Sequence, residues 1–231
     1  MAGYLGNAPT AIPLTSADIT DGIITSAKIA DGTIVNADIN ASAAIDASKL
    51  TGITSDYVLI KTQTASSAAS VEFVNGTSSV VFDSTYSVYF LVGYNMYNST
   101  SVGEPEIHIT TDSGSTYKTS GYKTVKRRLF ESGDSIGIDG TGVSTDHIGA
   151  SFLSLGTDSS YASHFYAYFW NPSNSSARPK VFSQWNPSTS TYTSGYTIMQ
   201  GVYNTAGSYN GFRIEPNGGT INGTFKLYGI K

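Results

Sequence analysis

The 231-residue chain contains no cysteine, which excludes disulfide scaffolds, thiolate metal sites and thiol catalysis. Charged residues make up only 13% of it, about half of the share of about 25% that is typical of soluble domains. The formal net charge of −4 provides no basic face of the kind that nucleic-acid binding needs. No stretch approaches the roughly 18 consecutive apolar residues of a membrane helix, so no membrane insertion is predicted.

The first residues have neither the charged nor the apolar segment of a secretory signal. We therefore expect synthesis in the cytoplasm and, for a role outside the cell, a route other than secretion. Residues 1–15 contain Pro9 and Pro13 among small residues and show no periodicity. This composition predicts an extended arm that becomes ordered only on a partner surface.

Aromatic residues are abundant at 12%, with 16 tyrosines and 10 phenylalanines, and this distinguishes the chain from a disordered one. From residue 54 onward, short β-branched and aromatic runs alternate with Gly, Pro and Asn turns. No segment there has a helical period. The pattern predicts an all-β fold, an antiparallel β-sandwich of jelly-roll or lectin-like type over residues 54–231. The predicted strands cover residues 57–60, 70–74, 80–82, 86–97, 106–110, 152–155, 164–170, 179–185, 196–203, 212–215 and 224–230.

Residues 16–53 contain a repeat of five residues. Apolar side chains recur at Ile19, Ile24, Ile29, Ile34 and Ile39, and after one slip at Ile45 and Leu50. A small residue stands two positions before each of them, and a longer period of ten overlies the pattern. Fixed self-similarity of this kind is typical of repeat architectures.

A spacing of five fits neither a helix nor a straight strand. Five residues turn through about 500° on an α-helix, so the isoleucines form no stripe, and on a strand they would alternate between faces. The chain must bend within each repeat, and Asp21-Gly22 and Asp31-Gly32 are suitable places. A single-chain solenoid needs about three stacked units, so the segment is too short for one. We favour a stem in which several chains, most plausibly three, share an isoleucine core; a short solenoid and an irregular linker remain alternatives.

Three segments resemble proteins of one class. They are the opening Met1–Asn7, the Ile-Ala-Asp-Gly-Thr-Ile repeats, and the ending Gly223–Lys231; stretches 82–90 and 107–117 add to the likeness. Together they resemble the tail-fibre and virion-fibre proteins of tailed bacteriophages, those of marine and cyanobacterial phages most of all. The chain departs from the class in size, since many tail fibres are much longer.

The resemblance implies a location in the virion and three parts. An arm at 1–15, with Tyr4, Leu5, Pro9 and Pro13, would dock onto other virion proteins. A stem at 16–53 would join copies, usually three, and a sandwich at 54–231 would point outward. A tail fibre, a head-decorating fibre and a tail-tip adaptor all remain open.

Residues suited to catalysis or metal binding are few. His108, His147 and His164 show no ligand spacing, so packed or sheet-surface histidines are expected, with no metal and no cofactor. The spacing of Glu104 and Glu106 matches the separation of about 5–10 Å between the two carboxylates of a glycosidase, yet solvated edge residues explain them equally well. We therefore expect that the chain has no enzymatic activity.

The repeat also contains aspartates that could surround calcium, although turn-forming roles explain them more simply. They are Asp18, Asp21, Asp31, Asp38 and Asp46.

One basic run contains Lys118, Lys123, Lys126, Arg127 and Arg128. We expect it in a solvated hairpin or in a contact between subunits. Binding of an anionic surface polysaccharide is a less favoured alternative.

A Trp-Asn-Pro-Ser pattern occurs at the ends of two successive predicted strands, at Trp170-Asn171 and at Trp185-Asn186. Rings beside amides can stack on the apolar faces of sugars and hydrogen-bond their edges, so these residues are candidates for a glycan or receptor contact. The simpler interpretation is that both tryptophans close an end of the sandwich.

The sequence thus predicts a virion fibre that adheres to the host surface through several weak binding sites. The alternative is a purely structural capsid or tail component that binds no receptor. A glycan depolymerase is disfavoured because carboxylates are scarce.

Overall fold

The computed structural model describes residues 15, 19–40, 43, 55–101, 103–130, 137–139, 144–150, 155–189 and 195–231. The contacts divide the chain into two compact units, Met1–Ile53 and Thr54–Lys231. The predicted docking residues Tyr4, Leu5, Pro9 and Pro13 lie outside the described residues, as do Ile45 and Leu50. Within the described ranges, no helix has the length and apolar character needed to cross a membrane.

In the first unit a turn recurs every five residues. Backbone N–H groups donate to the carbonyl three residues earlier, at distances of 2.9–3.1 Å, in the pairs Ile23–Thr20, Lys28–Thr25, Thr33–Ala30, Asp38–Val35 and Ala43–Asn40. Gly22 and Gly32 adopt φ angles of 78° and 77°, which only glycine accepts without strain. Short 3-10 turns at Ser26–Lys28 and Asn36–Asp38 alternate with these Asp-Gly turns. The predicted bend within each repeat is confirmed.

The isoleucines of the repeat lie between successive turns and face solvent. Ile19, Ile24, Ile29, Ile34 and Ile39 are 39–55% exposed. Every other side chain whose burial is described between residues 19 and 40 is exposed too. Within its described part, this segment has no buried core of its own.

The second unit confirms the all-β prediction, with 47% of the chain in strands and antiparallel sheets. The strands are β1 (Tyr57–Ala68), β2 (Val71–Val74), β3 (Val88–Asn98), β4 (Pro105–Thr110), β5 (Tyr122–Phe130), β6 (Gly137–Asp139), β7 (Ser144–Thr145), β8 (Gly149–Ala150), β9 (Ser163–Trp170), β10 (Lys180–Asn186), β11 (Gly195–Tyr203), β12 (Gly211–Pro216) and β13 (Ile221–Ile230).

The larger sheet contains seven long strands in the order β1-β13-β3-β9-β10-β11-β5, with the short β6 and β7 pairing with β5. The smaller sheet contains three strands in the order β2-β12-β4, with the short β8 beside β4. The last strand, β13, lies between β1 and β3, so the end of the chain is held inside the sheet.

Both sheets contribute to one hydrophobic cluster. Alternation on β3 and β9 buries one face of each strand. The Phe169 ring from the larger sheet stacks on Phe212 of the smaller one at 4.2 Å, and Phe212 stacks on Phe73 at 5.3 Å. Phe82 contacts this group from a loop, 5.4 Å from Phe212. Burial of such rings stabilises the fold by about 1.5–3 kcal/mol per side chain.

One strand prediction is wrong, and another lies mostly outside the described residues. Residues 80–82 form an irregular segment after a turn rather than a strand, because the Val80 N–H donates to the Thr77 carbonyl at 3.0 Å and the Phe82 N–H to Asn75 Oδ1 at 2.9 Å. Leu155 lies outside any strand, and residues 152–154 are outside the described ranges.

The basic run forms much of β5, a strand that the sequence did not predict. Lys123 and Arg127 project to solvent, whereas Lys126 is only 8% exposed and points inward with Tyr122. The expected solvated hairpin is therefore wrong for Lys126. An inward charge near the edge of a sheet discourages pairing with another sheet edge.

Candidate functional site

The outer face of the larger sheet carries a set of neighbouring aromatic rings. On β9 the buried residues alternate with outward residues, and the outward ones include Tyr166, Tyr168 and Trp170. We call the aromatic face the six residues Tyr57, Phe90, Tyr166, Tyr168, Trp170 and Tyr228. Because all six lie on regular strands, the sheet fixes their positions.

Phe90 is the centre of the aromatic face. Its ring centroid lies 4.7 Å from that of Tyr168, 5.6 Å from Tyr57, 6.1 Å from Tyr166 and 6.3 Å from Tyr228. The Trp170 ring extends this set: its centroid lies 6.0 Å from that of Tyr168, and the angle between the two ring planes is 24°. These contacts hold the rings in place before any ligand arrives.

The strand register aligns part of the face in one row. The directly opposed side chains on five neighbouring strands are Leu59, Tyr228, Phe90, Tyr168 and Phe182. At about 4.8 Å per strand, the row spans about 19 Å, enough for an extended ligand. Leu59 at one end of the row is 52% exposed and the flanking Tyr57 and Trp170 are 46% and 38% exposed, whereas the other four side chains of the row are half-buried.

Amide groups lie beside the rings. The Tyr166 hydroxyl donates to Gln184 Oε1 at 2.8 Å, and Gln184 Nε2 donates to Asn186 Oδ1 at 3.4 Å. Asn186 is opposite His164, which is exposed on the same face. Flat rings next to amide donors and acceptors match the chemistry of a sugar, which has apolar C–H faces and polar edges.

The loop after Trp170 is anchored by backbone hydrogen bonds. The Asn171 N–H donates to the Ser87 carbonyl at 2.7 Å, and the Tyr209 hydroxyl donates to the Trp170 carbonyl at 3.3 Å. Asn171 has a φ of 43°, and its carbonyl accepts from the Asn174 N–H at 3.0 Å. This left-handed turn keeps Trp170 at the end of β9, with Asn171 exposed beside it.

The candidate glycan contact is wrong for Trp185. Its ring is 1% exposed, stacks on Phe165 at 3.9 Å, and its indole N–H donates to Ser183 Oγ at 3.0 Å. Because β9 and β10 are antiparallel, Trp185 lies at the opposite end of the pair from Trp170. The packing interpretation thus holds for Trp185, while the exposed Trp170 does not fit it.

Sequence reasoning missed most of the aromatic face. Tyr57, Phe90, Tyr168 and Tyr228 were recognised only as members of strands. The alternate positions of Tyr166, Tyr168 and Trp170 do give a signal, since the intervening Phe165, Ala167 and Phe169 are apolar as well. A strand that is apolar on both faces either lies between two layers or offers its second face to a partner.

A cluster of ionisable side chains lies on β4 and β12 of the smaller sheet and on the segment that contains Asp146 and His147. His108 Nε2 is 3.3 Å from Glu106 Oε2 and 3.2 Å from Glu215 Oε1, and Glu215 also pairs with Arg213 at 2.6 Å. His147 Nδ1 is 3.4 Å from Glu106 Oε1 and 2.8 Å from Asp146 Oδ1. The packed histidine predicted at 108 is confirmed, whereas Glu106, at 8% exposure, is no solvated edge residue.

Both nitrogens of His108 face oxygen acceptors, because Nδ1 lies 3.1 Å from the Lys118 carbonyl. Only the doubly protonated ring can donate on both sides. Burial by itself lowers the pKa of His108, but the contacts with Glu106, Lys118 and Glu215 raise it overall. Burial likewise opposes ionisation of Glu106, yet hydrogen bonds from His108 and His147 and their charges lower its pKa to about 2.

Glu106, Asp146 and His147 have potential metal-ligand atoms within 4.8 Å of one another. Asp146 is largely exposed, and Glu106 already lies between His108 and His147. Among the described residues we interpret this cluster as an ion-pair network that stabilises the fold.

We expect the free energy of unfolding to be largest between about pH 4.5 and 6.5, the ordinary pKa values of Glu106 and His108. The depressed pKa of Glu106 means that its contribution, about 3 kcal/mol, is lost as the pH falls from 4.5 towards 2. The raised pKa of His108 means that its contribution decreases as the pH rises above 6.5.

Urea unfolding from pH 2 to 9 measures this profile. Glu106→Gln should flatten both the acid and the neutral limbs, whereas Glu72→Gln, on an exposed strand position, should leave them intact. An unchanged profile for Glu106→Gln would contradict the assignment.

Comparison with family models, with curated proteins and with solved structures gave no match to this chain.

Proposed function

We propose that this chain is a virion fibre protein of a tailed bacteriophage that adheres to a glycan on the host surface. The observation that carries the proposal is the aromatic face, a set of partly exposed, pre-positioned rings with the amides of Gln184 and Asn186 beside it. The role is binding rather than catalysis. No secretion signal is needed, because a virion assembled in the host cytoplasm carries the protein to the outside.

The fold proposed for residues 54–231 is a β-sandwich of lectin-like type. Ring contacts such as Phe169–Phe212 join the buried faces of the two sheets, which supports face-to-face packing. In such a sandwich the outer face of the larger sheet is free for a ligand. Trp170 and Tyr168 would be the principal contacts, each stacking on one sugar ring.

The oligomer proposed is a trimer joined through the repeat. The exposure of Ile19, Ile24, Ile29, Ile34 and Ile39 supports this, because a single-chain solenoid would bury them within its own coil. Recurrent turns keep them at equal intervals along the segment. Three chains wound together would remove these side chains from water.

A trimer explains how shallow sites can suffice for adhesion. Sites of millimolar affinity presented together gain about 10²–10⁴ in avidity without any new contact. The arm at 1–15 would fix this array to the particle through other virion proteins.

The second candidate is a structural capsid or tail component that joins virion proteins and binds no receptor. The observation that favours it is the apolar character of the outer face, where Leu59 and Val125 are 52% and 58% exposed in addition to the rings. A protein partner could cover such a surface.

An image reconstruction of the particle that carries this chain tests the proposal. We expect threefold density that projects outward, with the aromatic face accessible. Density in which another virion protein covers Trp170 would favour the structural role, and absence of the chain from the particle would contradict both.

A further inference from the structure

A shallow cavity of about 460 Å³ lies at one end of the aromatic face. Three cationic side chains line it, Lys123 from β5, Arg178 from the segment before β10, and Lys180 at the start of β10. Val125 and Val202 provide its apolar part, and Gln200 adds an amide.

The strand register places two of these cations on either side of Val202. Lys180 is directly opposite Val202, which in turn is opposite Lys123. Two strand spacings separate the lysine backbones by about 9.6 Å. An anionic group above Val202 would therefore lie between two ammonium groups.

The cavity is continuous with the aromatic face. On its other side, Lys180 is directly opposite Trp170. A ligand stacked on Trp170 would thus present its next substituent to Lys180 without leaving the sheet surface.

Lys123, Arg178 and Lys180 concentrate positive charge at this cavity. Among the described residues, no carboxylate forms an ion pair with Lys123, Arg178 or Lys180. Yet the chain as a whole has a net charge of −4. A cluster of three cations without acidic partners gives this cavity a positive charge on an otherwise acidic protein, and an anionic ligand would complement it.

We infer that the glycan is acidic and that its carboxylate or sulfate group binds in this cavity while a neighbouring sugar ring stacks on Trp170. Arg178 offers the planar fork that pairs with such oxyanions, and the lysines add point charges. The inference rests on the proposed glycan adhesion and specifies the ligand class.

A microarray of uronate-bearing, sulfated and neutral oligosaccharides, probed with the full chain, tests the inference. Oligogalacturonate and its methyl ester form the most informative pair, because esterification removes the charge of each carboxylate and adds only a methyl group. We expect the acid to bind at least tenfold more tightly than the ester, and its affinity to fall as salt is raised. Comparing the affinities for the uronate-bearing and the sulfated oligosaccharides identifies which oxyanion is preferred.

The variants are Lys180→Gln alone and the triple variant Lys123→Gln, Arg178→Gln, Lys180→Gln. Each cation removed should weaken acidic-glycan binding about tenfold, with neutral-glycan binding unchanged. The matched control, Lys61→Gln, Lys226→Gln, Lys231→Gln, changes the net charge equally outside the cavity. Melting temperatures verify that each variant is folded.

Equal binding of acid and ester, or equal losses in the triple variant and its control, would overturn the inference while leaving glycan adhesion intact. Failure to bind any glycan would count against adhesion itself and against the inference with it.

Discussion

Replacing Ile24, Ile29 and Ile34 together by serine should convert the proposed trimer into a monomer. These side chains are 55%, 39% and 54% exposed in the single chain, so trimer formation can bury their exposed parts. At about 1 kcal/mol for each half-exposed isoleucine, five of them in three chains would contribute on the order of 15 kcal/mol. Losing more than half of this leaves too little to offset the cost of association, about 4–15 kcal/mol.

Multi-angle light scattering of the full chain measures the mass directly. The matched control replaces the polar neighbours, with Thr20→Ser, Thr25→Ser and Thr33→Ser, and should remain trimeric. A trimeric mass for the isoleucine variant would mean that the repeat is not the assembly core. A monomeric mass for the chain without substitutions would contradict the proposal that the repeat forms an oligomeric stem.

Phe212→Ala should destabilise residues 54–231 by about 3–5 kcal/mol. The Phe212 ring is fully buried and contacts rings from both sheets and from the loop: Phe169 at 4.2 Å, Phe73 at 5.3 Å and Phe82 at 5.4 Å. Its removal leaves a cavity where the two sheets meet. Domains of this size have about 5–15 kcal/mol of stability, so the loss is a large fraction.

Urea unfolding followed by the fluorescence of the buried Trp185 measures the loss. Phe182→Ala is the control, because Phe182 is only partly buried on the outer face and should cost about 1 kcal/mol. Equal losses for the two variants would contradict the assignment of Phe212 to a core shared by both sheets.

Much of the fold could be predicted because period-two alternation identifies half-buried strands. The exceptions have physical reasons. In β5 the Lys and Arg side chains conceal the alternation, since Lys126 points inward and Val125 outward. Val80 and Phe82 do pack in the core, but hydrogen bonds to Thr77 and Asn75 hold their backbone in an irregular segment after a turn.

The candidate site could be predicted only in part. The same Trp-Asn-Pro-Ser pattern follows β9 and β10, yet Trp170 faces outward and Trp185 inward. Residue polarity does not predict which face of β10 is buried, because the inward Ser183 is polar and the outward Phe182 is apolar. Ser183 is tolerated inside the sheet because its hydroxyl accepts the Trp185 indole N–H.

Most of the ion-pair cluster gave no sequence signal; only Glu106 and His108, two positions apart on a predicted strand, are expected on one face. Glu106 and Glu215 are far apart in the chain and become neighbours only through the pairing of β4 with β12. Asp146 and His147 come from a different segment. Contacts that depend on the order of strands cannot be read from residue spacing.

Glycan binding by Tyr168→Ala, Trp170→Ala tests the central claim most directly. The affinity of the full-length double variant for the best glycan of the array is measured by isothermal titration. Tyr161→Ala, Tyr196→Ala serves as control, since both tyrosines are half-buried and lie outside the aromatic face. Two rings at about 1.4 kcal/mol each predict a loss of about 100-fold in the first variant and little change in the control. Unchanged affinity in the first variant would show that the aromatic face is not the adhesion site.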